Sequence, residues 1–151
     1  MTETPTTGTP TGTITFQVTF DAVDPHGTAR FWAAALGYDV EDNSARVDQL
    51  VAAGYVQAAD TVQVDGHSAF RDLEACRDPG GTQARLLFQR VPEAKAVKNR
   101  VHLDLRVGAE RVEDELARLV AAGARELHRG RQGPHTWVTV ADPEGNEFCL
   151  T

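Results

Sequence analysis

One pattern, a strand followed by a helix and three further strands, can be read twice along this chain. In the first copy, apolar and polar residues alternate from Thr13 to Asp21, and a helix is predicted from Asp24 to Gly37. In the second copy, the same alternation runs from Asn99 to Val107, and a helix is predicted from Ala109 to Ala122. A single unit of this kind leaves one face of its sheet uncovered, so two units are expected to pair around a shared cleft.

This duplication predicts an α+β fold in which two βαβββ modules form a curved, barrel-like, eight-stranded sheet around the cleft. Module one is predicted at 13–91 and module two at 99–151. Module one also carries an insertion at about 43–70, which is predicted as a helix and an irregular excursion, with a short strand at Thr61–Val64 as an alternative interpretation of part of it. Residues 1–12 are rich in Thr, Pro and Gly and have no apolar residue after Met1, so they are predicted to be a disordered tail.

Composition limits the classes of function. The chain has 151 residues and a net charge of −7, which fits one domain and argues against a nucleic-acid partner. It has no apolar run long enough to cross a membrane. Because the N-terminus lacks a secretory signal pattern, a cytoplasmic location is expected. The two cysteines, Cys76 and Cys149, are predicted to be reduced thiols.

Polar residues line one face of each predicted first strand. His102 and Asp104 lie two positions apart on the same face, about 6–7 Å from each other along the strand. A histidine and a carboxylate are suited to act as a base and its orienting partner, so both are candidate catalytic residues. The other predicted pocket-lining residues on these two strands are Thr19, Asp21 and Arg106.

A later strand also presents side chains that suit a ligand site. His135, Trp137 and Thr139 share one face of the strand predicted near the end of module two. A tryptophan beside a histidine on a cleft strand suits stacking against a flat substrate. Packing in the core or in a dimer is the alternative explanation of this tryptophan.

Three stretches carry a resemblance to a known family. They are Asp24–Tyr38, Phe88–Asp104 and Asp142–Cys149. Together with the repeat, they resemble the glyoxalase-like branch of the vicinal oxygen chelate superfamily. That superfamily includes glyoxalase I, extradiol dioxygenases, fosfomycin-resistance enzymes and bleomycin-binding proteins.

The resemblance implies a divalent ion in the cleft, held by one residue from the first strand and one from the last strand of each module. The matching positions are Gln17, Gln89, His102 and Cys149. The family pattern places a glutamate where this chain has Cys149, and Glu147 is the substitute two residues earlier. Two amides, an imidazole and a thiol form a poor set for any one ion. The residues therefore favour polar lining of an organic-ligand pocket, with Zn, Ni, Mn or Fe as the alternative.

The expected function is binding of a small organic molecule in the cleft between the modules. With a metal, the resemblance implies a lyase, isomerase or dioxygenase; without one, it implies a drug-binding or natural-product-binding protein of the bleomycin-resistance type. Metal-free acid–base catalysis by His102, Asp104 or Asp21 is a third hypothesis. Pairing into a homodimer is also implied by the resemblance.

Overall fold

The computed structural model describes residues 14–151, so the predicted disordered tail at 1–12 lies outside the described residues. Its helices and strands, in chain order, are β1 (Val18–Ala22), α1 (Pro25–Leu36), β2 (Asp39–Val40), α2 (Ser44–Ala52), β3 (Thr61–Val64), β4 (His67–Phe70), β5 (Leu73–Arg77), β6 (Leu86–Arg90), β7 (Asp104–Leu105), α3 (Val112–Ala121), β8 (Arg125–Gln132), β9 (His135–Ala141) and β10 (Glu147–Leu150). Short 3₁₀ turns lie at Ala58–Asp60 and Ala109–Arg111.

The two modules have the same strand topology. The sheet of module one has the order β1-β6-β5-β2, and the sheet of module two has the order β7-β10-β9-β8. In each module the first strand runs parallel to the last, and the remaining pairs are antiparallel. The predicted α+β fold of two βαβββ modules is therefore confirmed. The eight strands form two open four-stranded sheets, and among residues 14–151 no hydrogen-bonded strand pair joins one sheet to the other.

The insertion in module one is more regular than predicted. Its helix, α2, buries Val47, and the excursion that follows contains a β-hairpin formed by β3 and β4. Asp65 and Gly66 form the two-residue turn with φ angles of 50° and 83°. Asp-Gly is a favoured sequence for such turns because both central residues need positive φ. The strand considered at Thr61–Val64 is β3, whereas its partner β4 was not predicted and the description of the excursion as irregular was wrong. The Asp-Gly pair was the overlooked signal.

The first strand begins later than the alternation predicted. Ile14 and Phe16 were expected on its core face, but they are 75% and 76% exposed and precede β1. Val18 is paired with Leu86, the first residue of β6. Residues before Val18 have no partner strand there, so the apolar alternation continues beyond the sheet that would bury it.

The strand predicted at Asn99–Val107 is also shorter in the structure. Only Asp104 and Leu105 are in β7, and Val101, expected in the core, is 80% exposed. The partner strand β10 begins at Glu147, and its Cys149 is aligned with Asp104. The chain before β7 therefore has little of β10 to pair with. Residues 91–103, which we call the strap, run from one module to the other without regular secondary structure.

Aromatic side chains join the two modules in one core. The ring centroid of Trp32, on α1 of module one, lies 5.2 Å from that of Phe20 and 5.0 Å from that of Phe148, on β10 of module two. The Trp32 indole N–H also donates a hydrogen bond to Asp142 Oδ2 at 3.0 Å. Helix α1 is capped by Asp24 and ends at Gly37 in the left-handed conformation, as the sequence predicted.

Alternation along β9 and β10 separates core residues from residues that face the opposite side of the sheet. Val138, Val140, Phe148 and Leu150 belong to the core. Trp137, Thr139, Glu147 and Cys149 lie at the intervening positions and point to the other face. This face of module two carries the candidate site. Among the described residues, no helix has the length and apolar character needed to cross a membrane.

Candidate functional site

A cavity of about 330 Å³, which we call the module-two pocket, lies on the face of the module-two sheet opposite the core. Its lining comes from the strap and from β7, β8, β9 and β10, and consists of Lys98, His102, Asp104, His128, Trp137, Thr139, Glu147, Cys149 and Thr151. The volume is within the range of sites that bind small organic molecules, about 300–1,000 Å³.

Three side chains with different donor atoms meet in this pocket. Asp104 and Cys149 are aligned on neighbouring parallel strands, and His102 precedes Asp104 by two residues on the same side. His102 Nδ1 lies 3.3 Å from Asp104 Oδ1. One nitrogen, one carboxylate oxygen and one sulfur from these residues all lie within 4.8 Å of one another. We call this group the His102–Asp104–Cys149 cluster.

The thiol of Cys149 is held in its protonated form. Burial raises its pKa above the ordinary thiol value, and the Asp104 carboxylate acts in the same direction. A hydrogen bond with Thr139 and the charge of Lys98 oppose this change without cancelling it. Thr139 Oγ1 lies 3.6 Å from Cys149 Sγ and 3.2 Å from His128 Nε2, so a short polar chain crosses the pocket floor.

Glu147 anchors the strap to β10 beside the pocket. Its Oε2 accepts hydrogen bonds from the backbone N–H of Asn99 at 2.9 Å and lies 3.0 Å from Lys95 Nζ. Burial alone would raise the pKa of Glu147, but the Asn99 N–H and the Lys95 ammonium outweigh it and lower the pKa to about 2. The carboxylate is therefore already engaged by the protein, and it positions the strap residues that line the pocket.

This pKa predicts a loss of stability in acid. Because the folded-state pKa is below the ordinary value, the Glu147 contribution is complete above about pH 4.3 and is lost as pH falls toward 2. We expect the urea midpoint of the native chain to fall more steeply between pH 5 and pH 2.5 than that of Glu147→Gln. Glu93→Gln, an exposed strap variant, should follow the native chain. Parallel curves for all three would contradict the role of Glu147.

A second cavity of about 260 Å³ lies where the two modules meet. It is lined by β1 residues that include Thr19 and Asp21, and by His102 and Glu147 on the opposite side. His102 and Glu147 thus border both cavities. The single shared hollow expected from sequence is represented by two adjoining cavities in the structure, one on module two and one at the junction.

The structure places the two predicted amide ligands in other interactions. The Gln17 side-chain oxygen accepts a hydrogen bond from Arg85 at 2.8 Å, and Arg85 also pairs with Glu41. The Gln89 amide donates to Asp21 Oδ1 at 2.8 Å across the β1–β6 pair. Neither glutamine lines the module-two pocket or the junction cavity. His102 and Cys149 are therefore brought together, whereas Gln17 and Gln89 are held by neighbours within module one.

The remaining predicted lining residues divide between locations. Trp137 and Thr139 line the module-two pocket, as does the predicted substitute ligand Glu147. His135 is exposed at the start of β9, and Arg106 borders a different groove, between α1 and α3. Lys98 and His128 line the pocket although neither was selected from sequence. His128 could have been found from its pairing with Thr139 across the β8–β9 hairpin. This pairing can be predicted only if β8 is taken to continue to Gln132, as it does in the structure.

Several solved structures share the fold of this chain. A glyoxalase/bleomycin resistance/dioxygenase family enzyme from Burkholderia phytofirmans PsJN is 16% identical; the match covers 89% of this chain and 94% of that chain, with a TM-score of 0.58. The fosfomycin resistance protein FosX from Mesorhizobium loti is 12% identical, with 94% and 91% covered and a TM-score of 0.60. A mutant FosX from Listeria monocytogenes, complexed with Mn(II) and 1S,2S-dihydroxypropylphosphonic acid, is 11% identical, with 89% and 85% covered and a TM-score of 0.57.

At these identities the structural matches establish the fold and leave the chemistry to the residues of this chain. No curated protein matches the chain in sequence. The family model of the glyoxalase-like domain matches residues 17–151, which include both modules, the insertion and the strap. The chain therefore belongs to the glyoxalase-like domain family.

Proposed function

We propose that the protein binds a small organic molecule in the module-two pocket, with the polar groups of the ligand directed toward His102 and Asp104. The observation that carries this proposal is the convergence of the His102–Asp104–Cys149 cluster in a cavity of ligand size. Half-exposed ionisable groups beside an aromatic wall are typical of sites that orient a ligand with a few polar contacts. Sites of this kind need no preformed ion.

A thermal-shift comparison tests this proposal. Aromatic glycopeptides, polyketides and small hydroxy acids form the panel, and a ligand of the pocket is expected to raise the melting temperature of the native chain. His102→Ala should reduce that shift, because a polar contact to the ligand is lost. His67→Ala, on the inserted hairpin, is the matched control and should bind as the native chain does. Equal shifts in both variants would contradict the assignment of the pocket.

A divalent metal in the same pocket is the second candidate, and the His102–Asp104–Cys149 cluster favours it. Nitrogen, oxygen and sulfur donors are all ligands of zinc, and three protein ligands leave a position open, as in catalytic zinc sites. Ligand atoms around tetrahedral zinc lie about 3.3–3.8 Å apart, given bond lengths of about 2.0–2.3 Å. The separations of up to 4.8 Å in the cluster need only a small contraction. The donors therefore fit zinc, whereas a thiolate suits Mn(II) less well.

The resemblance pointed to Gln17, Gln89, His102 and Cys149 as the ligands, and that set stays a prediction. On geometry, we propose His102, Asp104 and Cys149 instead. A zinc ion held there would act as a Lewis acid on an oxygen atom of the bound molecule. His102 and Asp104 would then orient the ligand, and the Cys149 thiol would have to release its proton for the ion to bind.

Metal binding is expected to depend on Cys149 and on pH. Calorimetric titration with zinc chloride should give an affinity that rises with pH, since the raised pKa of Cys149 keeps the thiol protonated at neutral pH. Cys149→Ala should weaken binding at least about tenfold, because it removes a ligand and even the loss of an outer-shell partner of a metal costs about 10–100-fold. Cys76→Ala removes the other buried thiol and is the matched control. Failure of the native chain to bind zinc would remove the metal candidate and leave metal-free binding.

Each of the remaining proposals can be tested by a direct measurement. A metal-dependent lyase, isomerase or dioxygenase would require activity that depends on added metal, and a binding protein of the bleomycin-resistance type would bind without turnover. Acid–base catalysis by His102, Asp104 or Asp21 would persist in the presence of a chelator. Sedimentation equilibrium tests the proposed homodimer. Absence of a nucleic-acid partner and cytoplasmic location stay predictions.

A further inference from the structure

The indole of Trp137 covers Gly130 on the neighbouring strand. The two residues are direct partners across the β8–β9 pair. A Cβ atom built on Gly130 would lie 2.2 Å from Trp137 Cε2 and Cζ2 and 2.6 Å from Nε1. No real side chain fits at such distances, so the ring occupies the space that any residue other than glycine would need. Gly130 has no positive φ angle, and its backbone conformation alone therefore does not call for glycine.

Covering a glycine in this way also protects an edge strand, since β8 is the outer strand of the module-two sheet. That role alone would not require the ring to border a cavity. Trp137, however, forms part of the wall of the module-two pocket, together with the three cluster residues. The indole therefore contacts β8 at Gly130 and also contributes surface to the pocket.

We propose that the module-two pocket takes a ligand that contains a flat aromatic ring, that Trp137 stacks against this ring, and that Gly130 is a positioning residue that leaves room for the indole. This inference rests on the proposed function and narrows its ligand class. Aromatic rings pair best in offset-stacked or edge-to-face arrangements, and a ring held rigidly by its backing strand loses little freedom on binding. The cluster residues then face the substituents of the ring.

Matched pairs of probes separate ring stacking from general apolar binding. Each pair has one naphthalene compound and its fully saturated decahydro counterpart, with the same substituent. There are three such pairs, one with a carboxylate, one with an aminomethyl group and one with a hydroxyl group. Because the pairs differ in charge, an unfavourable charge in the pocket cannot prevent binding of all of them. Calorimetric titration of the full chain with each probe measures the affinity ratio within a pair.

For the native chain we expect at least one pair in which the aromatic member binds about three- to tenfold more tightly, the range typical of an aromatic pair. Trp137→Leu should bring that ratio close to one. Gly130→Ala should reduce the ratio as well, because the new methyl group displaces the indole. Gly80→Ala is the matched glycine control: its Cβ would lie 3.5 Å from Asp78, an ordinary contact, and the ratio should be unchanged.

The other outcomes contradict the inference, and each identifies the part of it that fails. Equal affinities within every pair would reject ring stacking and leave small-molecule binding intact. A native preference that persists in Trp137→Leu would reject Trp137 as the stacking residue, and persistence in Gly130→Ala alone would reject the role of Gly130. A folded chain that binds neither member of any pair would count against this inference and against the module-two pocket as a binding site. Circular dichroism establishes that each variant is folded.

Discussion

Replacing Phe148 with alanine is expected to lower the free energy of unfolding by about 3–5 kcal/mol. The Phe148 side chain is fully buried, and its ring centroid lies 5.0 Å from that of Trp32 and 6.1 Å from that of Phe31. Removing the ring would leave a cavity between α1 of module one and β10 of module two, and the surrounding rings would close it only in part. Guanidinium denaturation followed by circular dichroism measures the loss.

Phe16→Ala is the matched control for this substitution. Phe16 is 76% exposed, so its truncation removes little buried surface and should change stability by less than about 0.5 kcal/mol. Because Phe148 joins the modules, we also expect the native chain to unfold in one transition. A loss near zero for Phe148→Ala, or two separate transitions in the native chain, would contradict a core shared by both modules.

Asp142→Ala is the second large effect, with an expected loss of about 3 kcal/mol. The Asp142 residue is 3% exposed, and its carboxylate accepts four hydrogen bonds. The donors are the indole N–H of Trp32, the backbone N–H groups of Glu144 and Asn146, and the side-chain amide of Asn146. Alanine would leave a buried indole N–H without its partner and would also release the turn before β10.

The repeat supplies the control for this prediction, because Asp78 occupies the same Asp-Pro motif in module one. Asp78 also binds nearby N–H groups, those of Gly80, Thr82 and Gln83, but its turn is exposed. Water can replace its carboxylate when Asp78 is changed to alanine, so the loss of stability should be clearly smaller than for Asp142→Ala. Equal losses for both variants in the same denaturation experiment would show that burial and the Trp32 contact do not matter.

The sequence predicted well those elements whose ends are marked by local signals and whose apolar residues are buried in the core. Helix α1 has a capping aspartate, a proline at its first position and a terminating glycine, and the structure places its ends at these residues. Strand β5 has the predicted bounds, Leu73–Arg77. The first strands of both modules were predicted too long, since the length of a strand depends on its partner. Alternation at Phe16 and Val101 continues where β6 and β10 offer no paired backbone.

The candidate site shows the same division. Their spacing predicted that His102 and Asp104 point to the same side of the chain, although only Asp104 lies in β7. The structure adds Cys149 to them because β10 aligns it with Asp104. Gln17 and Gln89 had the correct motif positions for the resemblance, but Arg85 and Asp21 bind them. No spacing rule reveals such partners, since they come from neighbouring strands whose register is settled only in the folded sheet.

By itself, the sequence determined the duplicated βαβββ architecture and the family, because period-two alternation, helix caps and Asp-Pro turns are local signals that occur twice in the same order. Only the tertiary structure decided which polar side chains share a pocket. The approach of His102, Asp104 and Cys149, and the contact of Trp137 with Gly130, depend on strand register and on which face each residue presents. Those distances arise from pairing between segments far apart in the chain, which no local pattern encodes.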